Sequence, residues 1–369
     1  MRLPLIATLG GMVLQLSQLE LQGKLNAFGT RLAIPGTAAA LLGPEGSMVA
    51  AHHGVTERGA DATRDESTIR HDDVWHLGSC TKSMSAFLYA RLVEHGLTSW
   101  DVTVADLFPE VSAEPQWQQR TLTQLLHCRA GVRPNLSLRQ MLRAWKDTRP
   151  LTQQRREVVE WVLSGKPASA DRFRYSNVSY IMLGAAIDRL TGESYEKALT
   201  QYVLKPLGIT TAAYGAPPRV LGHSVRLRLG SLLLFAGKPM LASNPRSDNP
   251  AVASSAGTLH MSVADWAKFI RQFLQGQNTL LTDDSINRLL AEPEGGRHSM
   301  CMGWIQGRGP EFVGRGMQGS NTMSSSMALL SADRKHAVLT VANDGRTRVV
   351  AATPFFAMDV LEAATTVVT

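Results

Sequence analysis

Apolar residues recur along this chain with two different periods, and they place strands at both ends with helices between them. Residues 36–42 and 48–52 are short apolar runs separated by Gly43-Pro44-Glu45-Gly46, a turn sequence that reads as a hairpin. Near the other end, 326–330 and 337–341 flank the turn-like Ser331-Ala332-Asp333-Arg334-Lys335. In the middle the spacing changes to three and four. Met84, Phe87, Leu88 and Leu92 mark one face of a helix that stops at Gly96, and Val178, Ile181, Met182 and Ala185 mark another ending near Gly192. Trp266, Phe269, Ile270, Phe273 and Leu274 form a third, opened by Ser262 with Asp265 and closed by Gly276. A final helix is predicted from Thr353-Pro354, packing Phe356, Val360, Leu361 and Ala364. There is no internal repeat, low-complexity tract or flexible linker, so the two ends are expected to share one sheet around a helical insertion.

Composition narrows this picture only slightly. With 369 residues, 44% hydrophobic and 19% charged, the chain is globular and long enough for one large or two ordinary domains. The net charge of +7 comes from dispersed Lys and Arg; Arg155-Arg156 and Arg226/Arg228 are the densest spots. That is a solvated basic surface rather than a nucleic-acid stripe. Cys80, Cys128 and Cys301 are widely spaced and unpaired in pattern, which indicates neither a disulfide framework nor a zinc site. His52 and His53, adjacent on a strand, point to opposite faces, so no metal is expected and no cofactor is implied. Residues 1–16 carry one Arg and an apolar run that fits either a weak signal peptide or an amphipathic first helix. The compartment is cytoplasmic on the second reading and periplasmic or secreted on the first. No later apolar run is long enough to span a membrane.

Candidate chemistry begins at Ser79-Cys80-Thr81-Lys82, just after Gly78 at the start of the helix that stops at Gly96. Three residues apart on a helix, the Ser and Lys side chains share a face, with Cβ atoms roughly 5–6 Å apart. An amine there can take the hydroxyl proton if burial lowers its pKa, and the helix start offers amides to an oxyanion. Ser194-Tyr195-Glu196-Lys197 has the same spacing. There Glu193 and Glu196 offset a cation in the first helical turn, whereas beside Ser79 no carboxylate lies between Asp73 and Glu94. A local rule broken without local compensation marks Ser79 as functional and Ser194 as an N-cap. Tyr175-Ser176-Asn177 is the only Y-x-N in the chain, and two residues apart in extended backbone the phenol and amide face one cavity. Residues 314–319 match G-x-G-x-x-G, but they precede a strand rather than open a helix, which disfavours a dinucleotide site.

These segments together resemble one family. Residues 75–84, Trp-His-Leu-Gly-Ser-Cys-Thr-Lys-Ser-Met, look like the nucleophile segment of class C β-lactamases and the related esterases, penicillin-binding proteins and D-amino-acid peptidases. Residues 173–184 look like that family's Y-x-N segment, and 122–127, 204–209, 254–259 and 337–343 resemble its connecting segments. The resemblance implies a β-lactamase/transpeptidase-like α/β (α+β) fold, an antiparallel sheet from both chain ends flanked by helices, with an all-helical insertion. Residues 18–75 and 290–369 would form the sheet domain and 76–289 the mainly helical one, with 1–17 a helix or signal segment. It further implies a serine acyl-hydrolase with Ser79, Lys82 and Tyr175 catalytic. Asn177 and Ser320 would bind substrate or the oxyanion, beside Gly319, Met317 and Arg315. The departure is Met317, where relatives carry His or Lys; Arg315, two residues away on the same strand, is the candidate substitute. The expected substrate is a small ester, amide or β-lactam, an apolar ester first. D-amino-acid peptides, acyl transfer to an acceptor other than water, and a scaffold that has lost turnover are the alternatives.

Overall fold

The computed structural model describes residues 16–168, 172–229, 232–294, 300–309 and 312–365, so the expectation for residues 1–15 lies outside them. The chain enters through helix α1 (Gln18–Leu32), whose Ser17 and Glu20 form a capping box. Strands β1 (Gly36–Leu42) and β2 (Met48–Gly54) follow as the hairpin read from the turn sequence. From the other end come β3 (Ile305–Gly309), β4 (Phe312–Ser320), β5 (Ser325–Ser331) and β6 (Ala337–Ala342). They form one antiparallel sheet in the order β3-β4-β5-β6-β1-β2. The two chain ends therefore meet in its middle, where β1 pairs β6 and the Asn343 side chain accepts from the Gly36 amide at 2.8 Å.

The strand pleat sorts the side chains into two cores. Ala39, Leu41, Met327, Leu329 and Val338 face one way, onto α1 and the last helix, Thr347–Thr365. Ala38, Ala40, Leu42, Ala328, Leu330 and Leu339 face the other way, onto the helices of the long connection. Both faces are covered, so every residue of β1, β5 and β6 is buried and their sequences are mainly apolar rather than alternating.

Helix α2 (Thr81–Glu94) runs through the larger core. Its sequence suggested one apolar face, but every residue from Thr81 to Ala90 is buried, as in a helix enclosed on all sides. Helix α3 (Asn177–Thr191) lies beside it, N-capped by Ser176 and ended by Gly192 in the left-handed conformation. The connection also contains a small three-stranded sheet of Val74–His76, Leu259–Ser262 and Ala213–Tyr214. The last helix, α4 (Thr347–Thr365), begins before the expected Thr353-Pro354. Pro354 sits inside it and cannot donate to the Val350 carbonyl; the Gln318 side chain on β4 donates there instead.

Candidate active site

Ser79 stands in a single 3-10 turn, Gly78–Cys80, that leads into α2. Gly78 has φ +50°, and a Cβ there would lie 2.5 Å from the Ser320 amide nitrogen. Gly319 is equally constrained: its Cβ would fall 2.0 Å from the Leu77 carbonyl and 2.9 Å from the Ser79 amide nitrogen. Only two glycines let the turn and strand β4 approach this closely, and the approach sets the Ser79 and Ser320 amides side by side. Ser326 Oγ donates to the Leu77 carbonyl at 2.7 Å, and Cys80 Sγ to the Met317 carbonyl at 3.1 Å, clamping turn to strand.

Ser79 is partly exposed, while Lys82, one turn further, is wholly buried. Lys82 Nζ lies 2.6 Å from the Ala256 carbonyl, 2.7 Å from Asn177 Oδ1 and 3.1 Å from Ser79 Oγ. Burial lowers its pKa to about 7, so near neutrality much of it is free amine. A neutral amine has two hydrogens and one lone pair. The two shortest contacts take the hydrogens, and the lone pair is left to the Ser79 hydroxyl.

Tyr175 approaches from the extended segment before α3, and its phenol donates to Ser79 Oγ at 2.8 Å. Its ring also lies 5.0 Å from Lys82 Nζ. Burial pushes the phenol's pKa up, so it stays protonated at the pH where Lys82 loses its proton. Asn177, first residue of α3, is itself oriented: its Nδ2 donates to Asn135 Oδ1 at 2.7 Å. Ser79 Oγ is thus the meeting point of an amine and a phenol, with two backbone amides adjacent.

The structure brings Ser79, Lys82, Tyr175 and Asn177 together, and Gly319 and Ser320 join them through the backbone. Met317 is 1% exposed and packed in the larger core. Arg315 does not join the group. It donates from Nε to the Leu290 carbonyl at 2.7 Å, because its strand position leads to the end of helix Asp283–Leu290. Sequence reasoning missed Asn135 and the Ala256 carbonyl; a backbone oxygen has no residue signature, and Asn135 is tied to the site by no local spacing. Ser194 caps helix Tyr195–Leu199, with Lys197 paired to Glu193 at 3.0 Å on the surface. The G-x-G-x-x-G stretch lies along β4 and turns back into β5, with no helix after it.

Residues 21–356 match the Beta-lactamase family model. The chain belongs to the Beta-lactamase family. It is 27% identical over 259 residues to "Penicillin-binding protein 4" of Amycolatopsis lactamdurans, covering 69% of this chain and 63% of that one. To "Protein flp" of Staphylococcus aureus (strain COL) it is 23% identical over 279 residues, 73% of this chain and 52% of the other. The chain thus spans between half and two thirds of these curated relatives. Solved structures agree on the fold. The D-amino acid amidase from Ochrobactrum anthropi SV3 superposes with a TM-score of 0.72 at 20% identity, covering 93% of this chain and 97% of that one. A class C beta lactamase from Rhodobacter sphaeroides gives 0.71 at 17% identity, covering 92% and 98%.

Proposed function

We propose that this protein is a serine acyl-hydrolase that cleaves small esters or amides through an acyl-Ser79 intermediate. The observation that carries the reading is Ser79 Oγ lying 3.1 Å from Lys82 Nζ and 2.8 Å from the Tyr175 phenol. In this reading the Lys82 amine takes the Ser79 proton as Oγ attacks the carbonyl carbon, and the carbonyl oxygen becomes an oxyanion between the Ser79 and Ser320 amides. Tyr175, protonated and adjacent, passes a proton to the leaving group as its bond to carbon breaks, and is reprotonated from the Lys82 ammonium. Water then repeats the sequence on the acyl-enzyme, leaving a carboxylic acid and free Ser79. An acceptor alcohol or amine in place of water would make the same chemistry a transfer.

Substrate preference follows from Met317 and Arg315. One offers a buried thioether where a cation would meet a carboxylate, and the other is committed to the Leu290 carbonyl. A carboxylate-bearing substrate therefore forgoes a charge-assisted hydrogen bond, about 1.5–3 kcal/mol, or roughly 10- to 10²-fold in kcat/KM. We expect a neutral short-chain aryl ester to be turned over and a chromogenic cephalosporin to be a poor substrate. Comparing kcat/KM for the two tests the reading. Cephalosporin turnover rivalling that of the ester would overturn the preference, and loss of neither activity in Ser79→Ala would overturn the mechanism.

A further inference from the structure

The two amides beside Ser79 belong to different parts of the chain, and a buried cluster behind them connects both. His76 ends the strand Val74–His76, two residues before Gly78, and its side chain is 1% exposed. The Gly78 amide donates to His76 Nδ1 at 3.1 Å. Nδ1 is therefore an acceptor, and the ring proton sits on Nε2. Nε2 lies 2.8 Å from Asp248 Oδ2, and neither buried atom has a hydrogen-bond partner among the described residues, so each is the other's nearest polar counterpart.

The other carboxylate oxygen reaches the residue next to the second amide. Asp248 Oδ1 accepts from Asn321 Nδ2 at 3.1 Å and from the Asn249 amide at 2.7 Å. Asn321 directly follows Ser320, and its Oδ1 accepts from the Met323 and Ser324 amides at 3.1 and 3.0 Å, shaping the turn out of β4. Asp248 is itself anchored, because its carbonyl accepts from Trp145 Nε1 at 2.9 Å. On the nucleophile side the Gly78 carbonyl accepts from Thr81 Oγ1 at 2.7 Å. Across a planar trans peptide the carbonyl and the next N–H point opposite ways, so pinning Gly78 at both ends aims the Ser79 amide outward.

We infer that Asp248 is a positioning residue which, through His76 on one side and Asn321 on the other, holds the Ser79 and Ser320 amides in register as one oxyanion-binding pair. The inference rests on the serine-hydrolase reading above. A misplaced amide stabilises the tetrahedral state less without altering ground-state binding, and loss of one such donor costs about 10²–10³-fold in kcat.

The test compares wild type, Asp248→Asn and Asp248→Ala on a neutral aryl ester. It also measures Ki for an aryl boronic acid, whose tetrahedral adduct presents an oxygen to the amide pair. Fluorophosphonate titration counts competent sites. Asp248→Ala should lower kcat per titrated site at least tenfold and raise the boronate Ki by a similar factor, with KM within about twofold. Asp248→Asn should fall between, since its single carbonyl oxygen can serve one arm but not both. Hydrogen exchange reads the positioning without turnover, and amides in both 77–81 and 319–324 should exchange faster in Asp248→Ala. Unchanged boronate affinity, with the loss of rate explained by fewer titrated sites, would overturn the inference, as would acceleration in neither segment. Absence of wild-type labelling at Ser79 would sink the hydrolase reading instead, leaving the exchange experiment to decide the positioning.

Discussion

Lys82 has three polar contacts, and as a neutral amine it has hydrogens for two of them. The third, to Ser79, is where its lone pair must go, and in the proposed mechanism this divides labour between base and acid. With its pKa lowered to about 7 by burial, the amine should gain competence as pH rises, so kcat/KM should climb through about pH 7 and level off above. A profile rising only near pH 10 would mean the amine is not buried as described. Stability follows the same linkage. Between about 7 and the ordinary lysine value of 10.5 the unfolded chain holds a proton that the folded one does not, so raising pH favours folding. Wild type should therefore gain on Lys82→Met by up to about 1.4 kcal/mol per pH unit from pH 7 to 10, measurable by denaturant titration. An unchanged difference would contradict the lowered pKa. The residues legible in the sequence, Ser79 with Lys82 and Tyr175 with Asn177, are two pairs, each set at a short spacing along the chain. Asn135, Asp248 and the Ala256 carbonyl reach the site only through folding, and no local pattern announces them.

At the scale of elements, Lys82 depends on a segment packed between helices. Arg155, fully buried in helix Leu151–Leu163, binds Asp188 of α3 and Glu196, each at 2.8 Å, and Ser254 Oγ at 3.0 Å. Ser254 opens the short helix Ser254–Gly257, whose Ser255 carbonyl accepts from Ser85 of α2 and whose Ala256 carbonyl holds Lys82. Removing the guanidinium would strand two partly buried carboxylates. Arg155→Ala should cost about 3–5 kcal/mol in chemical denaturation and should also lower kcat per folded molecule. A loss under 1 kcal/mol would mean water reaches the two carboxylates. Of these helices, α2 and α3 were readable from their apolar spacing and the glycines that follow them, whereas the helices Leu151–Leu163 and Ser254–Gly257 were not read. The sheet pairing His76 with His260 was not, since its strands are two to four residues long and their partners lie far apart in sequence.

For the molecule as a whole, the sheet joins the two chain ends and separates two cores. The site lies on the side of the larger core. On the opposite face Phe28 of α1 stacks on Phe356 of α4 with ring centroids 4.6 Å apart. Phe356→Ala should therefore destabilise by about 3–5 kcal/mol while leaving kcat per titrated site unchanged. A fall in kcat per site would show the two faces to be coupled. The sharing of one sheet by both ends could be read from the sequence because each end is a local hairpin with its own turn. The start of α4 could not, because a proline inside a helix looks like a beginning until Gln318 is seen to take the carbonyl it frees.

The central claim is that Ser79, and not the equally spaced Ser194, is the nucleophile. The direct measurement is exposure of the folded protein to a fluorophosphonate, followed by peptide mapping of the modified residue. One equivalent should add to the peptide carrying Ser79, disappear in Ser79→Ala and persist in Ser194→Ala. Label on any other residue, or label that survives Ser79→Ala, would contradict the account.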